Sequence, residues 1–361
     1  MSRVAIARQA KYEESGIRNA MLSIIANSDF PDCRGKSVLI KPNILSDSEP
    51  GRHITTNPMC VSVLIDILRE KGAGRIVIGD SPGMAAAGFR PVRSGFQALV
   101  DEKGVEWADF VKESRTHEVW KGIRLPMAKA IDESDVVISF AKFKTHQLMY
   151  ATGAVKNMFG LVPGLNKSPQ HLKARSPENF AQLITSIALE RKMDYAFIDA
   201  IIGMEGPGPA NGTPRAVGLL MGSDNPFALD RAEAVIMGYS PKDVPIVALA
   251  MKEKRADAEY TLLDAEDLAI EDYRRIEVKR KGLFSSLILP FFTRSADRRK
   301  ARKRTAPSFR SDRCRRCRKC IEICPAKALR LEDGRVEIDT ESCIRCYCCH
   351  EMCPFDAIVI S

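Results

Sequence analysis

No stretch of the 361 residues approaches the roughly 20 consecutive apolar residues that a membrane-spanning helix needs, so the sequence gives no support for a bilayer-crossing function. The opening MSRVAIARQAKYEESGIRNA also lacks an apolar run behind a basic flank, and the expectation is a cytoplasmic protein. GxGxxG, GxxxxGK[ST] and GxSxG are missing from any strand-to-helix setting, which removes the usual support for nicotinamide, P-loop nucleotide and serine-hydrolase chemistry. A diffuse basic face is missing as well. The net charge is +9, but residues 279–304 carry ten Lys or Arg against the single acid Asp297, and the remaining residues balance at 45 basic to 45 acidic. A phosphate-backbone track needs spread positive charge, so nucleic acid is not an expected partner.

Cysteine is abundant. Nine of the eleven fall between Cys314 and Cys353, and such clustering in a chain without an export signal favours metal over disulfides. The other two, Cys33 and Cys60, read as buried thiols. CRRCRKCIEICP (Cys314, Cys317, Cys320, Cys324, Pro325) is followed by CIRCYCCHEMCP (Cys343, Cys346, Cys349, Cys353, Pro354), and all five positions repeat at an offset of 29. Each half reads CxxCxxCxxxCP, in which three close thiolates wrap one 4Fe-4S cubane and the fourth reaches the other cluster. The expected ligand sets are therefore Cys314, Cys317, Cys320 and Cys353 for one cluster, and Cys343, Cys346, Cys349 and Cys324 for the second. Zinc, the competing reading of paired CxxC motifs, takes four ligands and does not call for a third Cys and a CP in each half. Cys348 and Cys349 are two candidates for the third ligand, and only Cys349 keeps the spacing to Cys353, so Cys348 reads as a buried thiol beside the cluster, with alternate ligation or redox sensing as the other readings. Arg313, Arg315, Arg316, Arg318 and Lys319 crowd the first cluster, where positive charge favours the reduced form and suits an acidic redox partner protein.

Before about residue 275, short β-rich runs alternate with amphipathic segments, which sets the class as α/β. VLI (38–40), RIVIGD (75–80), DVVISF (135–140), DYAFIDA (194–200) and AVGLLMG (216–222) read as buried parallel strands. Asn57 and Pro58 open a helix that Gly72 or Gly74 ends. The expected organisation is a mainly parallel α/β domain over 1–275, a basic and apolar connector over 276–309, and a small ferredoxin-like (α+β) two-cluster domain over 310–361. The connector's run LFSSLILPFF (283–292) is too short to cross a bilayer; between its basic flanks it suits packing on the main domain or peripheral contact with an anionic membrane through 279–304.

Ligands of open parallel sheets bind beyond the carboxyl ends of the strands. The segments there are Lys41-Pro42-Asn43, Asp80-Ser81-Pro82-Gly83, Lys142 to His146, and Gly203 to Gly208. LIKPNIL (39–45), IGDSPG (78–83), KFKTH (142–146), GAVKNMFGLVPG (153–164) and DAIIGMEGPGPANGTPR (199–215) together resemble the domain of unknown function 362 family over nearly the whole chain. The resemblance implies an iron-sulfur protein with this two-part layout and leaves the reaction open.

The residues themselves carry the reading further. Lys41, Lys142, Lys144 and Lys156 are cations in or beside the strand-end segments, suited to an anionic small-molecule substrate. Lys142, Lys144 and His146 are the candidate catalytic groups, His146 being one of five histidines and pressed toward its neutral form by the adjacent lysines. Lys41, Asn43, Asp80, Lys156, Asn157 and Glu205 are the candidate substrate-binding groups. The expected function is an iron-sulfur oxidoreductase passing single electrons to or from a substrate, or from a further cofactor without a readable motif. The alternatives are a non-catalytic electron-transfer subunit docking on a partner complex, and a non-redox enzyme whose clusters sense redox state.

Overall fold

The computed structural model describes residues 2–191, 193–277 and 304–360. LFSSLILPFF and the basic cluster, except Arg304, therefore lie outside the described residues.

β1 (Arg3–Arg8) leads into α1 (Glu14–Ala26) and β2 (Ser37–Pro42), and α2 (Pro58–Glu70), β3 (Arg75–Gly79), α3 (Phe96–Lys103) and β4 (Glu106–Ala108) follow. After the hairpin of β5 (Ser114–Val119) and β6 (Ile123–Ala128) come β7 (Val136–His146), β8 (Tyr150–Ala151), α4 (Gly153–Asn157), α5 (Gln170–Lys173) and α6 (Pro177–Glu190). β9 (Tyr195–Glu205), β10 (Thr213–Ser223), α7 (Pro226–Ile236), α8 (Pro245–Lys252) and β11 (Glu259–Thr261) complete the large unit.

One sheet runs in the order β11-β1-β10-β9-β7-β2-β3-β4. Its centre is parallel from β9 through β7, β2 and β3 to β4. β2 shows why such strands read as continuous apolar runs: Val38 and Ile40 join the core packed on α1, α2 and α3, while Leu39 between them joins the core on the other face with α6. The helices start where their sequences say. The Asn57 side chain accepts from Met59 N with Pro58 in the first turn, and Ser176 does the same for Asn179 N ahead of Pro177. Cys33 and Cys60 are buried thiols.

Three strand expectations change. AVGLLMG belongs to β10, which is antiparallel to both β9 and β1, so only four of the five runs are parallel. A short loop from β9 returns the chain beside itself, which a parallel crossover would not permit. KFKTH is the last part of β7, because β8 pairs back on Thr145 and His146 and satisfies the backbone there. Gly203, Met204 and Glu205 likewise end β9, paired with Arg215, Pro214 and Thr213.

The small unit pairs Ser308–Phe309 with Ile358–Val359 and forms a hairpin of Leu329–Glu332 on Arg335–Ile338. Its two short helices, Lys319–Glu322 and Cys348–Met352, begin after left-handed residues Arg318 and Tyr347. Left-handed residues also pair as Arg316 with Arg345 and Lys327 with Asp356, so the sequence offset of 29 is repeated in the backbone.

Candidate functional site

β2 and β3 deliver Lys41 and Asp80 to one point, where Lys41 Nζ lies 2.7 Å from Asp80 Oδ1 with both side chains almost fully buried. Ile44 N and Ser81 N donate to the Asp80 carboxylate at 2.6 and 2.8 Å, which holds the turn after β3 against the end of β2. Asn157, on α4, is fully engaged: its Oδ1 accepts from Lys41 Nζ and Asn43 Nδ2, and its Nδ2 donates to Lys41 O and Ser139 Oγ. α4 is positioned by Asp230 of α7, whose carboxylate accepts from Ala154 N and Val155 N. That carboxylate occupies the place of a Cβ at Gly153, whose φ of +62° also calls for glycine. Gly160 is required by closeness alone, since a Cβ there would lie 2.2 Å from Asp80 Oδ1 and 2.6 Å from Lys41 Nζ.

Above this pair lies a cavity of about 80 Å³. At about 10–15 Å³ for each water, it holds a handful of waters or one compact molecule. Lys41, Asn43, Asp80, Lys156, Asn157 and His146 all line it. Its far wall is the cluster unit, through Ile323, Cys348, Glu351 and Met352. His146 Nδ1 accepts from Leu148 N and Met149 N, so in the neutral ring the proton sits on Nε2, which faces Glu351 Oε2 at 3.6 Å. Burial first, and then Lys156, push His146 down to about 4. Glu351 stays ionised despite burial because His146 and Lys156 stand beside it.

Lys156 forms no ion pair within 4.0 Å among the described residues, and burial lowers its affinity for a proton while Glu351 and Cys348 partly restore it. Sequence reasoning missed Lys167 and His171. Lys167 Nζ donates to the carbonyls of Ser81 and Val162, and burial lowers it to about 7. His171 stacks on Phe180 at 4.1 Å, and burial lowers it to about 3. Lys167 comes three residues after the GLVPG turn and could have been flagged as a further loop cation. Glu351 carries no local signal, because only docking of the two units brings it to β7.

Three flagged residues stand elsewhere. Lys142 is paired with Asp199 at 2.8 Å, both fully buried, and donates to Tyr12 Oη, away from the cavity lining. Lys144 donates to Ile54 O at 2.6 Å behind the cavity, and burial and Lys156 lower it to about 7. Glu205 accepts from Arg274 Nε and Arg274 N, tying the end of β9 to the last described segment of the large unit.

The eight cysteines expected as ligands gather as two groups. Cys314, Cys317, Cys320 and Cys353 line one hollow, and Cys324, Cys343, Cys346 and Cys349 line another, so the fourth thiol of each half crosses to the other. Thiols spread around a hollow fit a cubane. Backbone N–H groups of Ala328 and Ala357 donate to Cys324 and Cys353, and Arg345 N donates to Cys343, the kind of donor that stabilises thiolate on a cluster. Cys348 also lines the second hollow, beside Cys349, and lines the cavity as well; the spacing to Cys353, not the hollow, distinguishes it from Cys349.

The 4Fe-4S dicluster domain matches residues 306–354, and the chain is an iron-sulfur protein of the electron-transfer kind. Thylakoid-associated protein sll1697 of Synechocystis sp. is 31% identical over 249 residues, 68% of this chain and 77% of that protein. Among solved structures, the lactate racemase apoprotein of Thermoanaerobacterium thermosaccharolyticum aligns with a TM-score of 0.44 at 12% identity, over 63% of this chain and 55% of that one. A structural-genomics protein of Thermotoga maritima aligns at 0.42 and 11%, over 68% and 60%. The chain thus spans little more than half the length of either. The domain of unknown function DUF362 matches residues 38–234, which is over half the chain and contains β2 through most of α7, and the protein belongs to that family.

Proposed function

We propose that the protein is an iron-sulfur oxidoreductase whose small anionic substrate occupies the cavity between the strand ends and the Cys348–Met352 helix. One observation carries this reading: Cys348 is part of the wall of both the cavity and the hollow formed by Cys324, Cys343, Cys346 and Cys349. When bound there, 4Fe-4S clusters supply or withdraw single electrons. The rest falls to the chain's own groups. Lys156 offers an ammonium that forms no ion pair within 4.0 Å among the described residues and is only partly compensated by Glu351, and Lys167 offers a second one that donates to the carbonyls of Ser81 and Val162. An anion entering the cavity compensates both and draws Lys167 back to its charged form. His146 presents its Nε2 proton beside Glu351, so a proton can be held or passed at the same place. The Lys41–Asp80–Asn157 network fixes the floor. The volume suits a compact carboxylate or phosphate.

The test uses anaerobically purified protein with full iron content. Addition of phosphate or oxalate is expected to shift the reduction potential of one cluster, and Lys156→Gln to weaken that response at least about tenfold, the loss of one desolvated charge contact. Potentials insensitive to both anions, in parent and variant alike, together with no anion co-purifying, would refute the reading and favour the non-catalytic electron-transfer subunit.

A peripheral membrane role is the second reading. Its support is the apolar run between two basic clusters in 279–304 and the thylakoid-associated name of the 31% identical relative. Cosedimentation with anionic lipid vesicles, lost at high salt, is the expected result.

A further inference from the structure

The two halves of the cluster unit share their backbone but not their surroundings. At the offset of 29, Arg315 corresponds to Ile344, Arg318 to Tyr347 and Lys319 to Cys348. Residues 310–324 carry six basic and two acidic side chains, while 339–353 carry one basic and three acidic. Burial follows the same division. Tyr347, Cys348, Cys349 and His350 are buried, Tyr347 in the large unit's apolar core and Cys349 in the small unit's own. Asn211 Nδ2 donates to His350 O, and Arg304 bridges Arg175 O and Ile344 O across the same contact. Arg315, Arg316, Arg318 and Lys319 are all exposed, as is Cys317, which sits among them as a ligand of the first set. Arg313 is paired with Asp356, but these four cations form no ion pair among the described residues.

A bare basic collar around an exposed ligand thiol has a different use from a buried half facing a cavity. Charge left unpaired at a surface contributes little to stability, yet it steers encounters with a partner of opposite sign and fixes its orientation. We infer that the first half is the docking face for a small acidic one-electron carrier protein, which seats its carboxylates on Arg315, Arg318 and Lys319 and brings its redox centre over Cys317. In that exchange the carrier loses one electron and the protein gains one, or the reverse, with no bond made and no proton moved. The inference does not depend on what occupies the cavity, because it concerns the opposite half of the duplication.

Binding of a flavodoxin, used as an acidic probe, is measured with the iron-loaded protein by a titration that requires no turnover. The dissociation constant is expected to rise steeply with salt. Arg315→Gln/Arg318→Gln/Lys319→Gln is expected to weaken binding about tenfold or more at low salt, from three charge contacts, and to have little effect at high salt. Lys112→Gln, at a distant exposed site, is expected to change nothing. If the triple variant loses iron, carbodiimide coupling of the unaltered protein to the probe decides, with Lys319 expected in the cross-link. Salt-independent binding, an iron-loaded triple variant that binds like the parent, cross-links that avoid Lys319, or equally tight binding of a basic c-type cytochrome would each overturn the inference.

Discussion

Replacing Lys142 by methionine should unfold the sheet more readily without emptying the cavity. Its ammonium lies 2.8 Å from Asp199 Oδ2 and 2.8 Å from Tyr12 Oη, and both members of the ion pair are fully buried. Breaking a buried pair from one side costs ~3–5 kcal/mol, because the remaining charge has no counter-ion. Asp199 would keep donors from Tyr12 Oη at 2.9 Å, Asn57 N at 3.0 Å and Ile201 N at 3.3 Å, which places Lys142→Met near the lower end, at about 3 kcal/mol. Asp199→Asn removes the counter-charge and leaves the ammonium the Tyr12 hydroxyl, the Tyr12 ring 5.5 Å away and a neutral amide oxygen, and should cost more, about 4–5 kcal/mol. The double variant removes both charges and keeps a polar group for Asn57 N, so its cost should fall short of the sum by at least ~2 kcal/mol. Anaerobic urea unfolding followed by tryptophan fluorescence measures this directly, because the only two tryptophans, Trp107 and Trp120, both lie in the large unit. Phosphate binding, measured in parallel, should be retained. A Lys142→Met protein within ~1 kcal/mol of the parent would refute the energetic argument. A stable variant that has lost anion binding would return Lys142 to the cavity's chemistry.

The remaining predictions concern protons and thiols. His146 and His171 are held neutral by burial, down to about 4 and about 3, whereas an unfolded histidine takes a proton near ~6.5. Below that value the unfolded chain binds more protons than the native one, so stability is full above pH ~6.5 and falls as the pH drops toward the native values. At pH 5 the loss is about 2 kcal/mol per histidine. His146→Gln/His171→Gln should flatten the dependence between pH 6.5 and 5, and an unchanged slope would remove both groups from it. Lys144 and Lys167 titrate at about 7, and only their protonated forms attract an anion. Oxalate, which stays a dianion throughout, should therefore bind more weakly as pH rises from 7 to 9, and Lys167→Met should remove part of that fall; a pH-independent affinity would sink the idea. Cys348→Ser should keep the full iron content while Cys349→Ser loses one cluster's worth, since both thiols line the second hollow but only Cys349 keeps the three-residue spacing to Cys353. Loss of iron in Cys348→Ser would exchange the two assignments.

Where local chemistry suffices, the sequence is a good guide. CxxCxxCxxxCP foretells that Cys353 stands with the first three thiols and Cys324 with the second three, because the fourth thiol of each half reaches toward the other cluster, but it does not foretell that Cys348 lines the second hollow too. Asn57-Pro58 and the apolar runs of β2, β3 and β7 work for the same reason: capping and two-sided burial are local or periodic signals. Strand direction is not local, which is why AVGLLMG in β10 has the composition of its parallel neighbours and still runs antiparallel. Nor can a polar composition reveal whether a lysine finds a partner inside. KFKTH looks like a loop because it is charged, but Lys142 has Asp199, Lys144 has Ile54 O, and the backbone continues as strand. The same blindness applies to Glu205, whose partner Arg274 lies 69 residues away.

The Cys348–Met352 helix connects the two parts of the molecule more tightly than their separation in sequence suggests. Within or just after it stand Cys349, which belongs to one hollow, and Cys353, which belongs to the other. The helix also carries Glu351, which faces His146 on β7, and Met352, whose Sδ lies 3.2 Å from where a Cβ of Gly83 would be. It is only five residues long, so it has too few internal hydrogen bonds to hold its shape alone and depends on what it packs against. On the proposed function, an anion beside Lys156 would change the field at Glu351, which sits on the same short helix as Cys349 and two residues before Cys353. The large unit is therefore more than a platform, because the geometry of both hollows rests in part on the same wall that a cavity ligand would touch.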